Sequence, residues 1–295
     1  MAPVRRLAVI GLGLIGGSLA RALRQAQVVE RCIGFDADAG QRQAALALGV
    51  VDEVASGAAA AVTEADVVVL AVPVLESGTV AAALRPALMQ TAVLTDVGST
   101  KRSVLAALRP ALGTALRRFV PAHPVAGTEK SGVGAAHADL FRGHRVVLTP
   151  TEETDADAVD RVRRLWQAVG AQVETMSPEH HDQVFAATSH LPHVLAYALV
   201  DLLGRLQTHQ ELFRFAAGGF RDFTRVVSSS PKMWHDIVRA NRDALLPVVD
   251  QYVEALQQLR GAIDRDDAAR IFEIFSRARN VREHYLRSTS AGAQP

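Results

Sequence analysis

Four short stretches carry the residue types that chemistry requires. His123 sits in Pro121-Ala122-His123-Pro124-Val125-Ala126-Gly127-Thr128-Glu129-Lys130-Ser131-Gly132, after an apolar run that reads as a strand. An imidazole in such a loop, stiffened by Pro124, suits a general base near neutral pH. The plainer alternative is a structural loop histidine. Ser99 lies in Thr95-Asp96-Val97-Gly98-Ser99-Thr100-Lys101, where a strand gives way to a helix. Ligands of open α/β sheets lie beyond such strand ends, although a serine there also serves as an ordinary helix N-cap. In Thr188-Ser189-His190-Leu191-Pro192-His193 the two histidines stand three apart within a helical pattern, near one face. No cysteine or glutamate at suitable spacing completes a zinc motif, so no metal is expected. In Ala217-Gly218-Gly219-Phe220-Arg221-Asp222-Phe223-Thr224-Arg225, two arginines near glycines suit carboxylate recognition through the guanidinium fork. They read equally well, taken singly, as surface arginines.

A fifth stretch points to a cofactor. The strand-like Leu7–Ile10 runs into Gly11-Leu12-Gly13-Leu14-Ile15-Gly16, and a helical pattern follows at once. Gly11 permits a tight turn, Gly13 lets backbone approach a pyrophosphate, and Gly16 allows close helix–strand packing. The helix N-terminus at Leu14 and Ile15 offers unpaired N–H groups and a partial positive charge to phosphates. Asp36 ends the next strand-like run about twenty residues after Gly16, where a carboxylate accepts both ribose hydroxyls. It would repel a 2′-phosphate, and Ala37 and Asp38 supply no cation to receive one. The expected cofactor is NAD, with NADP second.

The elements that must position these residues follow from hydrophobic periodicity. Strand candidates are Leu7–Ile10, Cys32–Phe35, Val67–Ala71, Ala92–Thr95, Arg118–Pro121, Val146–Leu148 and Gln172–Glu174, mostly continuous apolar runs. Helical patterns lie between them, for example Leu14–Ala26, Ala39–Leu48 and Ala158–Val169. This is the rhythm of a doubly wound parallel sheet. After Ser177 the rhythm becomes wholly helical, beginning at Pro178 and Glu179. Leu245, Val249, Tyr252, Leu256, Leu259 and Ile263 recur at spacings of four and three, and Ile271, Ile274, Phe275, Ala278 and Val281 form a second stripe. Such helices make either a bundle core or a seam with a second subunit. Pro247 should kink the first helix or mark its first turn. The tail from Ser288 is expected to fray. The fold expected is an α/β Rossmann-type N-terminal domain over 1–176, followed by an all-α C-terminal domain over 177–295.

Composition narrows the class. The chain has 295 residues, almost half of them apolar, and a net charge of +1. No basic stripe argues for nucleic acid or a membrane surface. The longest apolar stretch, around Val67–Leu75, contains Pro73 and is far shorter than the ~20 residues of a membrane span. The N-terminus does not read as a signal peptide. The one cysteine, Cys32, cannot form an internal disulfide and reads as a buried strand residue, in keeping with a cytoplasmic location.

Taken together and in order, these stretches resemble the prephenate dehydrogenase family, including its arogenate and cyclohexadienyl variants. The glycine motif, Asp-Val-Gly-Ser-Thr-Lys, His-Pro-Val-Ala-Gly-Thr-Glu-Lys-Ser-Gly, Ser-His-Leu-Pro-His, Gly-Gly-Phe-Arg-Asp-Phe-Thr-Arg and Met-Trp-His-Asp-Ile with Asn241 all match. The resemblance covers nearly the whole chain. It implies oxidation of prephenate by NAD(P) with loss of CO2, giving 4-hydroxyphenylpyruvate for tyrosine synthesis. It implies that His123 takes the proton of the ring hydroxyl and that Ser99 hydrogen-bonds near His123 and that hydroxyl. His193 would lie by the nicotinamide and substrate, and Arg225 would bind a substrate carboxylate. Thr128, Glu129 and Trp234 would surround the substrate. Asp222 would pair with Arg225 or reach across a dimer interface, and the helical half would be a dimerisation domain. Arogenate remains the alternative substrate, with Glu129 available to its ammonium group. No fused chorismate mutase and no C-terminal regulatory domain are expected, so tyrosine inhibition would act at the active site or the dimer interface.

Two other readings differ in one feature each. A β-hydroxyacid dehydrogenase needs a catalytic lysine in the second half, where only Lys232 occurs, in a loop-like Ser-Pro-Lys-Met context. A non-catalytic NAD-binding sensor would keep Gly11, Gly13, Gly16 and Asp36 without needing His123, Ser99, His193 and Arg225 together.

Overall fold

The structure, a computed structural model, describes residues 3–207 and 209–291, with backbone alone at 209 and 288–291. Nine strands occur among them: β1 Val4–Ile10, β2 Val29–Phe35, β3 Glu53–Val54, β4 Val67–Leu70, β5 Val93–Asp96, β6 Phe119–Val120, β7 Ala122–Pro124, β8 Arg145–Leu148 and β9 Gln172–Thr175. The first six form one sheet in the order β3-β2-β1-β4-β5-β6, with every pairing parallel. That order is the dinucleotide-binding arrangement, with its strand-order reversal beside β1. The sheet is covered on both faces, which explains its continuous apolar strands. Leu7 and Val9 of β1 and Val67 and Val69 of β4 enter one core. Their neighbours Ala8, Ile10, Val68 and Leu70 enter the other. Cys32 is fully buried in β2, and burial pushes its thiol up to about 12.

The last three strands depart from the expected single sheet. They form a separate sheet in which β7 runs antiparallel to β8, and β8 parallel to β9. The break falls at Pro121, between β6 and β7. Proline cannot donate to a ladder and ends the pairing there. His123 therefore lies on a short strand, paired with Val147, and not in a loop.

The helices of the first half are α1 Leu14–Gln25, α2 Ala39–Ala47, α3 Ala58–Val62, α4 Ser77–Leu84, α5 Arg102–Leu112 and α6 Ala156–Ala168. Those of the second are α7 Pro178–Phe185, α8 Leu191–Gly204, α9 His209–Arg214, α10 Gly218–Thr224, α11 Pro231–Ala240, α12 Arg242–Asp264 and α13 Ala268–Ala291. No strand occurs after Thr175 among the described residues. Asp38 caps α2 by accepting from the Gly40 and Gln41 amides, and Ser177 caps α7 by accepting from His180. Pro178 takes the first turn of α7, where its missing N–H costs nothing. A π-helical turn, Ala186–His190, joins α7 directly to α8.

Residues up to Leu245 form one compact unit, and those from Leu246 form a second. Buried hydrogen bonds from the Lys101 and Arg102 amides to Asp182 tie α7 to α5, and Asn241 in turn donates to the Asp182 carbonyl. In the second unit Tyr252, Leu256 and Ile263 of α12 and Phe272, Phe275 and Val281 of α13 are exposed in the single chain. Of the two expected stripes, Leu245 is buried and Val249, Leu259, Ile271 and Ile274 are half-buried, while Tyr252, Leu256, Ile263, Phe275 and Val281 present an exposed apolar surface, joined by Phe272 outside the stripe. Pro247 lies inside α12, within its first two turns. The backbone of α13 continues helical to Ala291, beyond the point where fraying was expected. Residues 292–295 lie outside the described part. Among the described residues no helix is long and apolar enough to cross a membrane.

Candidate active site

The glycine turn is shaped by close contacts. Gly11 has φ +97°, and a Cβ there would meet the Ala71 carbonyl oxygen at 2.2 Å. A Cβ on Gly16 would stand 2.1 Å from the Gly11 oxygen. Around Gly13 there is nothing within 4 Å, so the protein itself does not exclude a side chain. Open space there, directly before the first amides of α1, fits a pyrophosphate approaching the backbone. Asp36 closes the far side. Its Oδ2 accepts from the Leu12 amide at 2.8 Å and its Oδ1 from the Asp38 amide at 2.9 Å, which fixes the carboxylate at the end of β2. The sequence reading found no cation nearby, but the first turn of α2 brings one back. Arg42 Nη1 donates to the Asp36 and Ala37 carbonyls at 2.6 and 3.1 Å, over the Phe35 ring.

The candidate base lies at the end of a buried polar network. Asp96 Oδ1 accepts from the Ala122 amide at 3.0 Å, and its Oδ2 accepts from Lys101 Nζ and the Gly98 amide. Lys101, wholly buried, also donates to the Ala122 carbonyl at 2.7 Å. These bonds clamp β7 at both the amide and the carbonyl of one residue, Ala122. Next along β7, His123 is 8% exposed and its Nδ1 lies 2.9 Å from His181 Nε2. His181 Nδ1 in turn lies 2.8 Å from Asp182 Oδ1. Burial lowers the pKa of His123 well below its ordinary value, and neighbouring His181 and Lys101 reinforce it. A neutral imidazole is the form a base requires.

Ser99 is half-buried between β5 and α5. Among the described residues it has no hydrogen bond to His123, nor does it cap α5. The α5 amides of Lys101 and Arg102 are instead satisfied by the two oxygens of Asp182, at 2.8 and 3.0 Å.

On the helical side, His193 lies on α8 and donates from Nδ1 to the Ser189 carbonyl at 2.8 Å. Its ring stacks on Trp234 of α11. His190 takes different partners. Its Nδ1 accepts from Asn241 Nδ2 at 2.9 Å, and the same amide reaches the Asp182 carbonyl. Burial lowers His190 to about 4. Arg225 follows α10 and pairs with Glu129 at 3.4 Å. Asp222 makes no ion pair with Arg225 among the described residues. The loop carrying Thr128 and Glu129 is tied at both ends, by Val125 N to the Arg145 carbonyl and by Val133 N to Gln41 Oε1 of α2. It therefore spans from the base strand to the cofactor side, while Glu129 reaches the candidate anchor Arg225. Lys232 sits in the first turn of α11, exposed, and pairs with Asp236 at 3.0 Å and Glu76 at 3.5 Å. Ion pairing raises its pKa, the opposite of what a desolvated lysine base needs.

Sequence reasoning missed His181 and Asp182 as site residues. The signal was the run His180-His181-Asp182 in the first turns of α7, where two of three polar residues point inward.

The chain is similar to known proteins over nearly its whole length. A family model described as the prephenate dehydrogenase nucleotide-binding domain matches residues 19–175. A second, the prephenate dehydrogenase dimerization domain, matches 177–277. A cyclohexadienyl dehydrogenase of Zymomonas mobilis is 41% identical over 284 residues, spanning 96% of each chain. A prephenate dehydrogenase of Bacillus subtilis is 40% identical, over 92% of this chain and 74% of its own. Among solved structures, the prephenate dehydrogenase from A. aeolicus in complex with hydroxyphenyl propionate and NAD+ superposes with a TM-score of 0.89. It is 36% identical and covers 95% of this chain and 98% of its own. The chain belongs to the prephenate dehydrogenase family.

Proposed function

We propose that this chain is an NAD-dependent prephenate dehydrogenase, converting prephenate to 4-hydroxyphenylpyruvate and CO2 in tyrosine synthesis. The observation that carries the reading is His123: a buried, neutral imidazole whose Nε2 has no hydrogen-bond partner among the described residues, in a chain with a glycine turn and Asp36 fitted to a dinucleotide. Bound NAD, held by the glycine turn and Asp36, would supply the acceptor for the hydride of the hydroxyl-bearing ring carbon. His123 takes the hydroxyl proton as that carbon becomes a carbonyl. The ring C–CO2 bond then breaks, its electron pair passes through the ring to the carbonyl oxygen, the ring becomes aromatic, and the phenolate oxygen takes the proton back from His123. Aromatisation supplies the driving force, so the protein chiefly orients and removes a proton.

In this reading Gly11, Gly13, Leu14, Ile15, Gly16 and Asp36 hold the cofactor. Arg225 anchors a substrate carboxylate, exchanging Glu129 for it. His193 and Trp234 form one flat wall, Thr128 and Glu129 line the loop side, and Ser99 offers its free hydroxyl near the substrate. Asp222 serves the dimer interface. The domain division falls at 176/177, supported by the end of β9 at Thr175 and by the ranges of the two family models. The exposed apolar stripes of α12 and α13 support a homodimer through the C-terminal helices. The location is cytoplasmic, in keeping with a buried free thiol. The cyclohexadienyl relative favours a second reading in which arogenate is also accepted.

The test is NADH formation with prephenate and arogenate in parallel. Turnover of prephenate is expected, and the ratio of kcat/KM values assigns the preferred substrate. Absence of turnover with either, in protein that binds NAD, removes the reading.

A further inference from the structure

We propose that His181 and Asp182 are positioning residues that fix the tautomer of His123, holding its proton on Nδ1 so that Nε2 stays bare for the substrate hydroxyl. This rests on His123 being the base.

Asp182 is almost completely buried and accepts three hydrogen bonds, from the Lys101 and Arg102 amides and from His181 Nδ1. Burial alone would raise its pKa, but those bonds outweigh burial and hold it below the ordinary carboxylate range. An ionised carboxylate only accepts, so His181 Nδ1 must carry a proton. Burial also lowers the pKa of His181, so its ring is neutral and has a single N–H. Its Nε2 is then an acceptor. The atom 2.9 Å away is His123 Nδ1, and two bare nitrogens do not bond. His123 Nδ1 is therefore the donor, and the lone pair of the neutral ring is left at Nε2. Phe185 covers both rings, with centroids 4.6 Å from His123 and 4.5 Å from His181, and keeps water from replacing either bond.

A carboxylate beside a catalytic imidazole fixes its tautomer in the same way but also favours its protonated form. Here a neutral ring stands between the two. It transmits the tautomer while keeping the negative charge one ring farther from the base. Lys101, Asp96 and His190 make no hydrogen bond to either ring among the described residues; at longer range Lys101 and His190 help to lower His123, and Lys101 and Asp96 act on His181 with opposite signs.

Asp182 also satisfies the first amides of α5, so its removal would disturb folding, and the test is made at His181. In His181→Gln the amide keeps one donor for Asp182 and one acceptor for His123 at spacing similar to the imidazole nitrogens. In His181→Leu both are lost. Wild-type protein with NAD bound should show His123 protonated at Nδ1 in long-range 1H–15N correlation spectra at pH 7.5. His181→Gln should keep that signature and stay within about tenfold of wild-type kcat. His181→Leu should lose it and fall by about 10²-fold or more, with KM and NAD affinity little changed. A wild-type His123 protonated at Nε2 overturns the proposal, as does a kcat in His181→Gln as low as in His181→Leu. The spectra need no turnover. Near-normal kcat in His123→Asn would sink the base assignment itself, whatever the tautomer.

Discussion

His193 lies flat against Trp234, with ring centroids 3.6 Å apart and planes 21° from parallel. With Nδ1 committed to the Ser189 carbonyl, the stack leaves His193 only Nε2 to present to a ligand. The indole Nε1 of Trp234 has no hydrogen-bond partner among the described residues, so phenylalanine would lose no bond there. Trp234→Phe should keep most of kcat/KM. Trp234→Ala should lose at least tenfold in kcat/KM and about 3–5 kcal/mol of stability, read from denaturant unfolding. Equal activity in the two variants would show that the stack does not order His193.

The glycines of the cofactor turn should separate folding from binding. Gly11→Ala combines a positive φ with a Cβ 2.2 Å from backbone oxygen and should cost about 3 kcal/mol of stability. Gly13→Ala meets no protein atom and should leave Tm unchanged, while NAD affinity measured by titration calorimetry falls at least tenfold. A Gly13→Ala variant with normal NAD affinity would mean that the phosphates do not pass there.

Cofactor choice should turn on Asp36 and Arg42 together. Asp36→Ala removes the repulsion toward a 2′-phosphate while Arg42 stays at the same strand end. The NAD-over-NADP ratio of kcat/KM should narrow by about tenfold. Adding Arg42→Ala should reverse the gain with NADP. If NADP use is unchanged by the second substitution, Arg42 does not face the ribose.

Arg225→Ala should raise KM for prephenate by roughly ten- to a hundredfold, the worth of a charged hydrogen bond, with a smaller effect on kcat. Its pair with Glu129 is solvent-exposed on both sides, so Glu129→Gln should change Tm negligibly. An unchanged KM in Arg225→Ala would place the carboxylate anchor elsewhere.

Stability should fall with pH because three buried histidines, His123, His181 and His190, have pKa values lowered chiefly by burial. The unfolded chain takes up protons on these rings near 6.5, and the folded protein only at lower pH. Their contribution is full above pH 6.5 and is lost progressively as pH falls, down to about 4 for His190. Tm at pH 5 should lie below Tm at pH 7.5, and replacing His190 by Gln should flatten that slope. A Tm constant over this range would contradict the burial argument.

The parallel sheet was legible because its strands are covered on both faces and so read as unbroken apolar runs, from Leu7–Ile10 to Val93 and Leu94. Strand β3, two residues long, and β7, which contains His123 and Pro124, carry too few apolar residues to show a pattern. The cofactor turn was legible because its chemistry is local: glycine spacing, a helix start and an acid at the next strand end. The relay behind His123 was not, since Asp182 meets Lys101 from 81 positions away and no periodicity encodes that meeting. For the same reason the sequence left a cap open as an alternative for Ser99, while its helix is satisfied by a side chain from the other half of the chain. Arg42 escaped notice because only the folding back of α2 returns it to Asp36.

The π-helical turn at Ala186–His190 sets the angular phase of α8 relative to α7. In an uninterrupted α-helix, at about 100° per residue, side chains nine positions apart face opposite ways. His181 and His190 are so separated in sequence, yet Asn241 bridges the Asp182 carbonyl and His190 Nδ1. The wider turn withholds part of the rotation and brings both into one cluster. The segment thus works as a phase shifter. Deleting one residue within it would leave a continuous helix and an intact hydrophobic pattern nearby, yet would swing His190 away from Asn241 and His193 away from Trp234.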